Sequence, residues 1–208
     1  MELQYYGANC LKINTKKAQI VVDDNLAALG LKAVTKPADI SLRTNKTLPE
    51  HPQAAFRAEM PGEYEVSGVV IRGIAARAHM DEEGRKSAVI YTIEADDTKA
   101  VILGHIYPEL SEDQLEQIGM ADIAIVPVGG MGYTLDGTGA LKVIKQIEPK
   151  VVIPTHYSDK AIRYEVPQAE LADAVKNMGM EITETSAKYK IKPSELSDTS
   201  RLIVLERQ

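Results

Sequence analysis

Tryptophan is absent from the 208 residues, and phenylalanine and cysteine occur once each. A lone cysteine, Cys10, excludes an intrachain disulfide and fits a reducing, cytoplasmic setting. Tyr supplies nine aromatic side chains, so the core must be built mainly from Val, Ile, Leu and Ala. No basic excess exists: 24 Lys and Arg face 30 Asp and Glu, for a net charge of −6. That balance lacks the electrostatic footprint of a dedicated nucleic-acid binder. No apolar run approaches the roughly 18 residues of a membrane span. The opening MELQYYGANC lacks the basic-then-apolar plan of a signal peptide. These absences predict a soluble, cytoplasmic protein whose partner is a small-molecule substrate or ligand. Nucleic acid is disfavoured and a membrane is not expected. No solenoid-period repeat or low-complexity tract interrupts the chain, so residues 1–208 are read as one domain.

What is present divides in two. Up to about residue 100 the chain is strand-rich, with LQYY, CLKIN, AQIVVD, DISLR and the long run GEYEVSGVVIRGIAARAHM. SAVIYTIEAD and KAVILG read as a hairpin turning at Asp96 and Asp97. Beyond residue 100, buried strands alternate with helices. Ser111 and Gln114 form a capping box at the head of EDQLEQIG. DIAIVPV is a second buried strand. Ala140, Val143, Ile144 and Ile147 keep helical spacing over 138–147. KVVIP is a third strand. Pro167 reads as the first position of a last helix with Leu171, Val175 and Met178 on one face. A polar stretch, a surface excursion AKYKIKPSELSD and a final strand RLIVLE follow.

Strand–helix–strand twice over predicts three parallel strands, and ligand sites in such sheets gather at the carboxyl edge. His105 directly follows VILG, and His156 follows VVIP by two residues. The glycine turn GGMGYTLDG, read as a connector rather than a phosphate cradle, ends the strand between them. His79 follows a long strand. Each histidine alone would be a loop residue bonded to backbone. Two on one sheet edge point to ligand chemistry, since neutral imidazole is a common metal ligand.

YYGANCLKI, PGEYEV, VILGH, ADIAIVPVGG, YTLD and IEPKVVIPTHY, in register from about residue 3 to 158, resemble the metallo-β-lactamase superfamily. Its lactonase-like, ascorbate-phosphate-type hydrolases and their uncharacterised relatives are the most similar branch. The resemblance implies an α/β fold, an αββα sandwich of two mixed sheets with outer helices. It implies that His79 matches the family's middle metal-binding histidine and His156 the last. His105 stands where a bridging aspartate belongs. Asp23 or Asp24 matches an aspartate that supports the ligand loop. That loop, H-x-H-x-D-H in the family, follows ADISLR, and here it is degenerate. Thr44, Asn45, Thr47, Pro49 and Glu50 occupy the region, and a one-residue insertion brings only Glu50 and His51 into register.

The expectation is therefore a hydrolase-like protein with at most one metal, taken as Zn²⁺. His79, His105, His156 and His51 are its candidate ligands, and His105 and Asp24 its candidate catalytic residues. Glu63 and Asp81 are alternatives for the base. An ester, lactone, lactam or phosphodiester is the substrate class. The alternatives are a catalytically inactive ligand-binding or regulatory module, and, third, a nuclease.

Overall fold

The computed structural model describes residues 1–197 and 199–208. Strand β1 (Glu2–Gly7) alternates half-buried and buried side chains, as a strand with one face on a core must. It pairs antiparallel with β2 (Cys10–Asn14), and β2 with β3 (Gln19–Val22). Strands β4 (Ile40–Leu42) and β5 (Phe56–Ala58) then add in parallel. An antiparallel run follows: β6 (Gly62–Val66), β7 (Val69–Ala76), β8 (Ala88–Ala95) and β9 (Thr98–Ile102). As expected, the β8–β9 hairpin turns on Asp96 and Asp97, both with positive φ.

Helix α1 (Glu112–Ile118) carries the expected capping box. Then come β10 (Ile123–Pro127), α2 (Gly137–Ile147), β11 (Val151–Thr155) and α3 (Leu171–Met178). Strands β9, β10 and β11 are parallel, as the strand–helix pattern requires. Two strands fall where the sequence reads as polar or as surface. The exposed β12 (Ile182–Ser186) pairs with β14 (Arg201–Leu205), and β13 (Tyr189–Lys190) pairs with β1. The rest of that excursion includes Asp198, which lies outside the described residues.

Two mixed sheets result, of six strands (β13-β1-β2-β3-β4-β5) and eight (β12-β14-β11-β10-β9-β8-β7-β6). Aliphatic side chains fill the space between them: Leu3, Ile13, Ile20 and Leu42 against Ile71, Ile93, Ile125 and Ile153. The helices pack on the outer face of the eight-stranded sheet over Val101, Ala124, Val126 and Val152. Each fully buried Val, Leu or Ile contributes about 1.5–3 kcal/mol. Strand β10 shows why the central strands read as unbroken apolar runs. Ile123 and Ile125 face one core, and Ala124 and Val126 the other. On the six-stranded sheet, Leu26, Leu31 and Val34 of an irregular segment cover Cys10 and Val21 in place of a helix. No helix among the described residues is long and apolar enough to cross a membrane.

The last helix begins later than its sequence suggests. Its N-cap is Glu170, not a residue before Pro167. Ala169 N donates to Gly129 O, and Ser158 N to Ala169 O. These bonds draw the preceding stretch alongside the β10 and β11 loops and keep it out of a helix.

Candidate active site

Three loops meet at the carboxyl edge of β9, β10 and β11. Gly104, at φ +58°, turns the chain after β9, and a Cβ there would collide with Thr44. His105 follows. Its carbonyl accepts from His79 N at 2.8 Å, so the end of β7 is tied to the end of β9. His156, after β11, sits at φ 55°, uncommon for a residue with a side chain. Its N–H donates to Ala8 O at 2.8 Å, which binds the β1–β2 turn to the eight-stranded sheet.

These turns bring two imidazoles together. His105 Nε2 and His156 Nε2 lie 3.2 Å apart, with the rings edge to face. Asn9 Nδ2 is 3.3 Å from His105 Nδ1, and Thr155 Oγ1 donates to Asn9 Oδ1 at 2.8 Å. Gln168 Oε1 lies 3.0 Å from His156 Nδ1. Burial, then the charges of His156 and His79, hold His105 down to about 3. Burial also holds His156 below the ordinary imidazole range, against the bond from Gln168. Both effects favour the neutral form of the rings.

The other expected residues go elsewhere. His51 Nε2 donates to Asp24 O at 2.7 Å, so it clamps a turn rather than facing the pair. Asp24 Oδ2 accepts from Val34 N, Thr35 N and the Thr35 hydroxyl, which fixes a loop. Asp23, not Asp24, supports the start of the ligand-loop region. Its carboxylate accepts from Thr44 N at 2.7 Å and Thr44 Oγ1 at 2.6 Å. Burial, opposed by those bonds and by Arg43, pushes the Asp23 carboxyl up to about 6. Asp81 accepts from Ala78 and Ser87. Burial acts to raise its pKa, but those bonds and Arg85 outweigh it and leave the carboxyl low. Glu63 is exposed and paired with Arg72. His79 lies beside Tyr107, its buried Nδ1 without a partner among the described residues.

The loop at 44–50 is closed on itself. Thr47 donates to Asn45 Oδ1, Leu48 N to Asn45 O, and Arg43 to the carbonyls of Lys46 and Leu48. Val89 N donates to Thr44 O, which stitches the loop's start to β8. It offers no metal-binding side chain toward the histidines. Among the described residues, no three His, Cys, Asp or Glu side chains converge to hold an ion. A two-ion centre therefore does not fit. His105 Nε2 and His156 Nε2 face each other at 3.2 Å, and two nitrogens each about 2.0–2.1 Å from a tetrahedral zinc would stand roughly 3.3 Å apart.

A family model described as "Beta-lactamase superfamily domain" matches residues 2–156. The chain belongs to this family. A metal-dependent hydrolase of Thermococcus onnurineus is 32% identical over 101 residues, 47% of this chain and 44% of that protein. The matched stretches span less than half the length of the curated relatives. A candidate Zn-dependent hydrolase of the metallo-β-lactamase superfamily from Thermotoga maritima superposes with a TM-score of 0.76. It is 22% identical and covers 99% of this chain and 98% of its own. A candidate metal-dependent hydrolase from Parabacteroides distasonis gives 0.62 at 18% identity, covering 99% and 93%. At such identities the likeness speaks for the metallo-β-lactamase fold, two mixed sheets with outer helices, as the sequence motifs imply.

Sequence reasoning missed Asn9 and Gln168. Asn9 lies in YYGANCLKI, a motif of the resemblance, but no role attaches to it there. Gln168 follows Pro167 and reads as the first turn of a helix. No local signal marks either as a partner of a histidine far away in the chain.

Proposed function

We propose that this metallo-β-lactamase-family protein is a hydrolase whose site takes a single metal ion on His105 and His156, with Zn²⁺ the expected ion. What carries the proposal is the 3.2 Å spacing of two neutral imidazole nitrogens, each ring held through its other nitrogen. Partners on the far nitrogen are the usual support of histidine ligands. The names of the Thermococcus and Thermotoga relatives agree with metal dependence. Such an ion would supply Lewis acidity to a carbonyl or phosphoryl oxygen. The chain's own part is to hold both rings neutral and oriented, with the half-buried His79 as a third imidazole nearby. The substrate class is an ester, lactone, lactam or phosphodiester. Metal analysis of the full chain purified without chelator tests this. About one equivalent of zinc, iron or manganese should be found, and lost in His105→Ala and His156→Ala together with any hydrolysis of nitrophenyl esters, lactones or phosphodiesters. A metal-free protein whose melting ignores added Zn²⁺ sinks it.

A second function, as a binding module, has its own observation behind it. A cleft of about 750 Å³ opens away from the histidines, lined by Arg43, Lys46, Arg57 and Lys86 against Glu59, with Phe56 on its wall. Lys46 and Lys86, beside an Arg43 and an Arg57 paired with Glu50 and Glu59, suit an anionic ligand with an apolar part. Thermal-shift screening with sugar phosphates, repeated on Lys46→Ala and Lys86→Ala, tests this cleft. Hydrolytic turnover abolished by His156→Ala would set the module reading aside.

A further inference from the structure

A short ladder beside the histidines carries a cation without a counter-ion. Past the ends of β7 and β9, Ala78 and Ile106 pair antiparallel and point into the core under the helices. On one side of that pair His79 N donates to His105 O, and on the other Tyr107 N donates to Arg77 O at 2.9 Å. Side chains alternate along a strand, so His105, His79, Arg77 and Tyr107 share the opposite face. The Arg77–Tyr107 pair stands one strand repeat, about 7 Å, from the His79–His105 pair. Side-chain contacts agree. The Arg77 guanidinium lies over the Tyr107 ring, 3.9 Å from its centroid, and the His79 ring is 6.3 Å from the same centroid.

Arg77 is held in place by its flat face on Tyr107 and by Nε, which donates to Asp81 O at 3.0 Å. The Asp81 carboxylate takes no part, because it is turned to Ala78 N, Ser87 and Arg85. Among the described residues the two Nη nitrogens of Arg77 have no hydrogen bond and no ion pair, and they are not sealed from water. A guanidinium fixed in this way presents a rigid fork, the shape that takes a carboxylate or phosphate on two parallel bonds. Little side-chain freedom is left to lose when such a group arrives. We propose that Arg77 anchors a carboxylate or phosphate group of the substrate, with Tyr107 as its platform. Of the esters, lactones, lactams and phosphodiesters named above, the anchor selects those with an anionic group a few bonds away from the bond that is cut. The inference names the substrate of the proposed hydrolase and rests on that reading.

The test measures binding to the full chain and does not depend on turnover. Phenyl phosphate and benzoate are titrated by calorimetry, with benzyl alcohol as the neutral control, and the Arg77 Nε–H is followed in ¹H–¹⁵N spectra. At least one anion should bind and shift that signal while benzyl alcohol does not, and the tighter of the two tells phosphate from carboxylate. Arg77→Gln should weaken anion binding by about tenfold or more. Arg77→Lys keeps the charge without the fork and should fall between. Tyr107→Leu keeps the cation without its platform and should also weaken binding. If Arg77→Gln fails to fold by circular dichroism, Arg77→Lys and Tyr107→Leu must still show the loss. Binding of neither anion, or equal binding in wild type and Arg77→Gln, overturns the anchor. So does binding lost in Lys46→Ala and Lys86→Ala but kept in Arg77→Gln, which puts the anion in the cleft of about 750 Å³. A metal-free protein without hydrolysis that still binds the anion through Arg77 counts against the hydrolase alone. Hydrolysis abolished by His156→Ala, with the same preference between carboxylate-bearing and neutral esters in wild type and Arg77→Gln, overturns the anchor alone.

Discussion

Gln168 reaches past Gly129 to accept the Nδ1 proton of His156 at 3.0 Å. The approach depends on glycine, because a Cβ at 129 would collide with Gln168 Oε1 and with the His156 carbonyl. Gly129→Ala should therefore act at a distance, by pushing Gln168 off the ring. A buried imidazole N–H left without its acceptor costs about 1–3 kcal/mol. Gln168→Leu should cost a similar amount by the direct route. Both variants should melt earlier than wild type and lose the single His156 tautomer in ¹⁵N spectra. A Gly129→Ala protein with wild-type melting and an unchanged His156 signal would contradict this packing.

His156 holds a left-handed backbone at φ 55°. For a residue with a Cβ that conformation costs roughly 1–2 kcal/mol, met here by the Ala8 and Gln168 bonds. Removing the ring as His156→Ala keeps the strain and loses the side-chain bonds. His156→Gly loses the same bonds but relieves the strain. The glycine variant should be the more stable of the two by about 1 kcal/mol, measured by urea unfolding. Equal stabilities would mean that the turn relaxes once the ring is gone.

Asp23 predicts a pH dependence of stability. Burial lifts its carboxyl from 3.8 to about 6 in the folded chain. The folded state thus holds this proton more tightly than the unfolded one. The stability Asp23 contributes is fully present below about 3.8 and is lost as pH rises through about 6. Asp23→Asn keeps an acceptor for Thr44 N and offers a donor to the Thr44 hydroxyl. It should fold, and wild type minus variant should show stability falling between those pH values by up to about 3 kcal/mol. A flat difference curve would show that Asp23 ionises freely.

The parts of the fold that local chemistry decides could be read from the chain. Ser111 and Gln114 mark the head of α1 because a capping box involves neighbours only. The two-sided apolar runs of β10 and β11 mark buried parallel strands. Strand β12 escaped notice because its side chains are mostly exposed and its pairing with β14 is made by backbone alone. The start of α3 was misplaced because bonds from Ala169 and Gln168 to distant loops outweigh the local signal of Pro167. At the site, the histidines at strand ends were legible. That His105 and His156 meet while His51 turns to Asp24 was not, because each contact joins loops far apart in the chain.

Arg43 shows why the degenerate loop is a structure in its own right and not a vacated ligand arm. Its guanidinium donates to Leu48 O and Glu59 at 2.9 Å each, and to Lys46 O at 3.4 Å. The side chain is only 12% exposed, so these bonds are partly shielded from water. Arg43→Met keeps much of the aliphatic stem and removes the donors. Two carbonyls and the carboxylates of Glu59 and Glu50 then lose this partner, at a cost of about 1–3 kcal/mol. Amide exchange should quicken across 46–50, where the bonds of Thr47 and Leu48 to Asn45 would be left to hold the turn. The His105 and His156 ring signals should stay in place, because neither ring bonds to this loop. Unchanged exchange in Arg43→Met would show the loop to be held by other contacts. A shift of the histidine signals would show it coupled to the site.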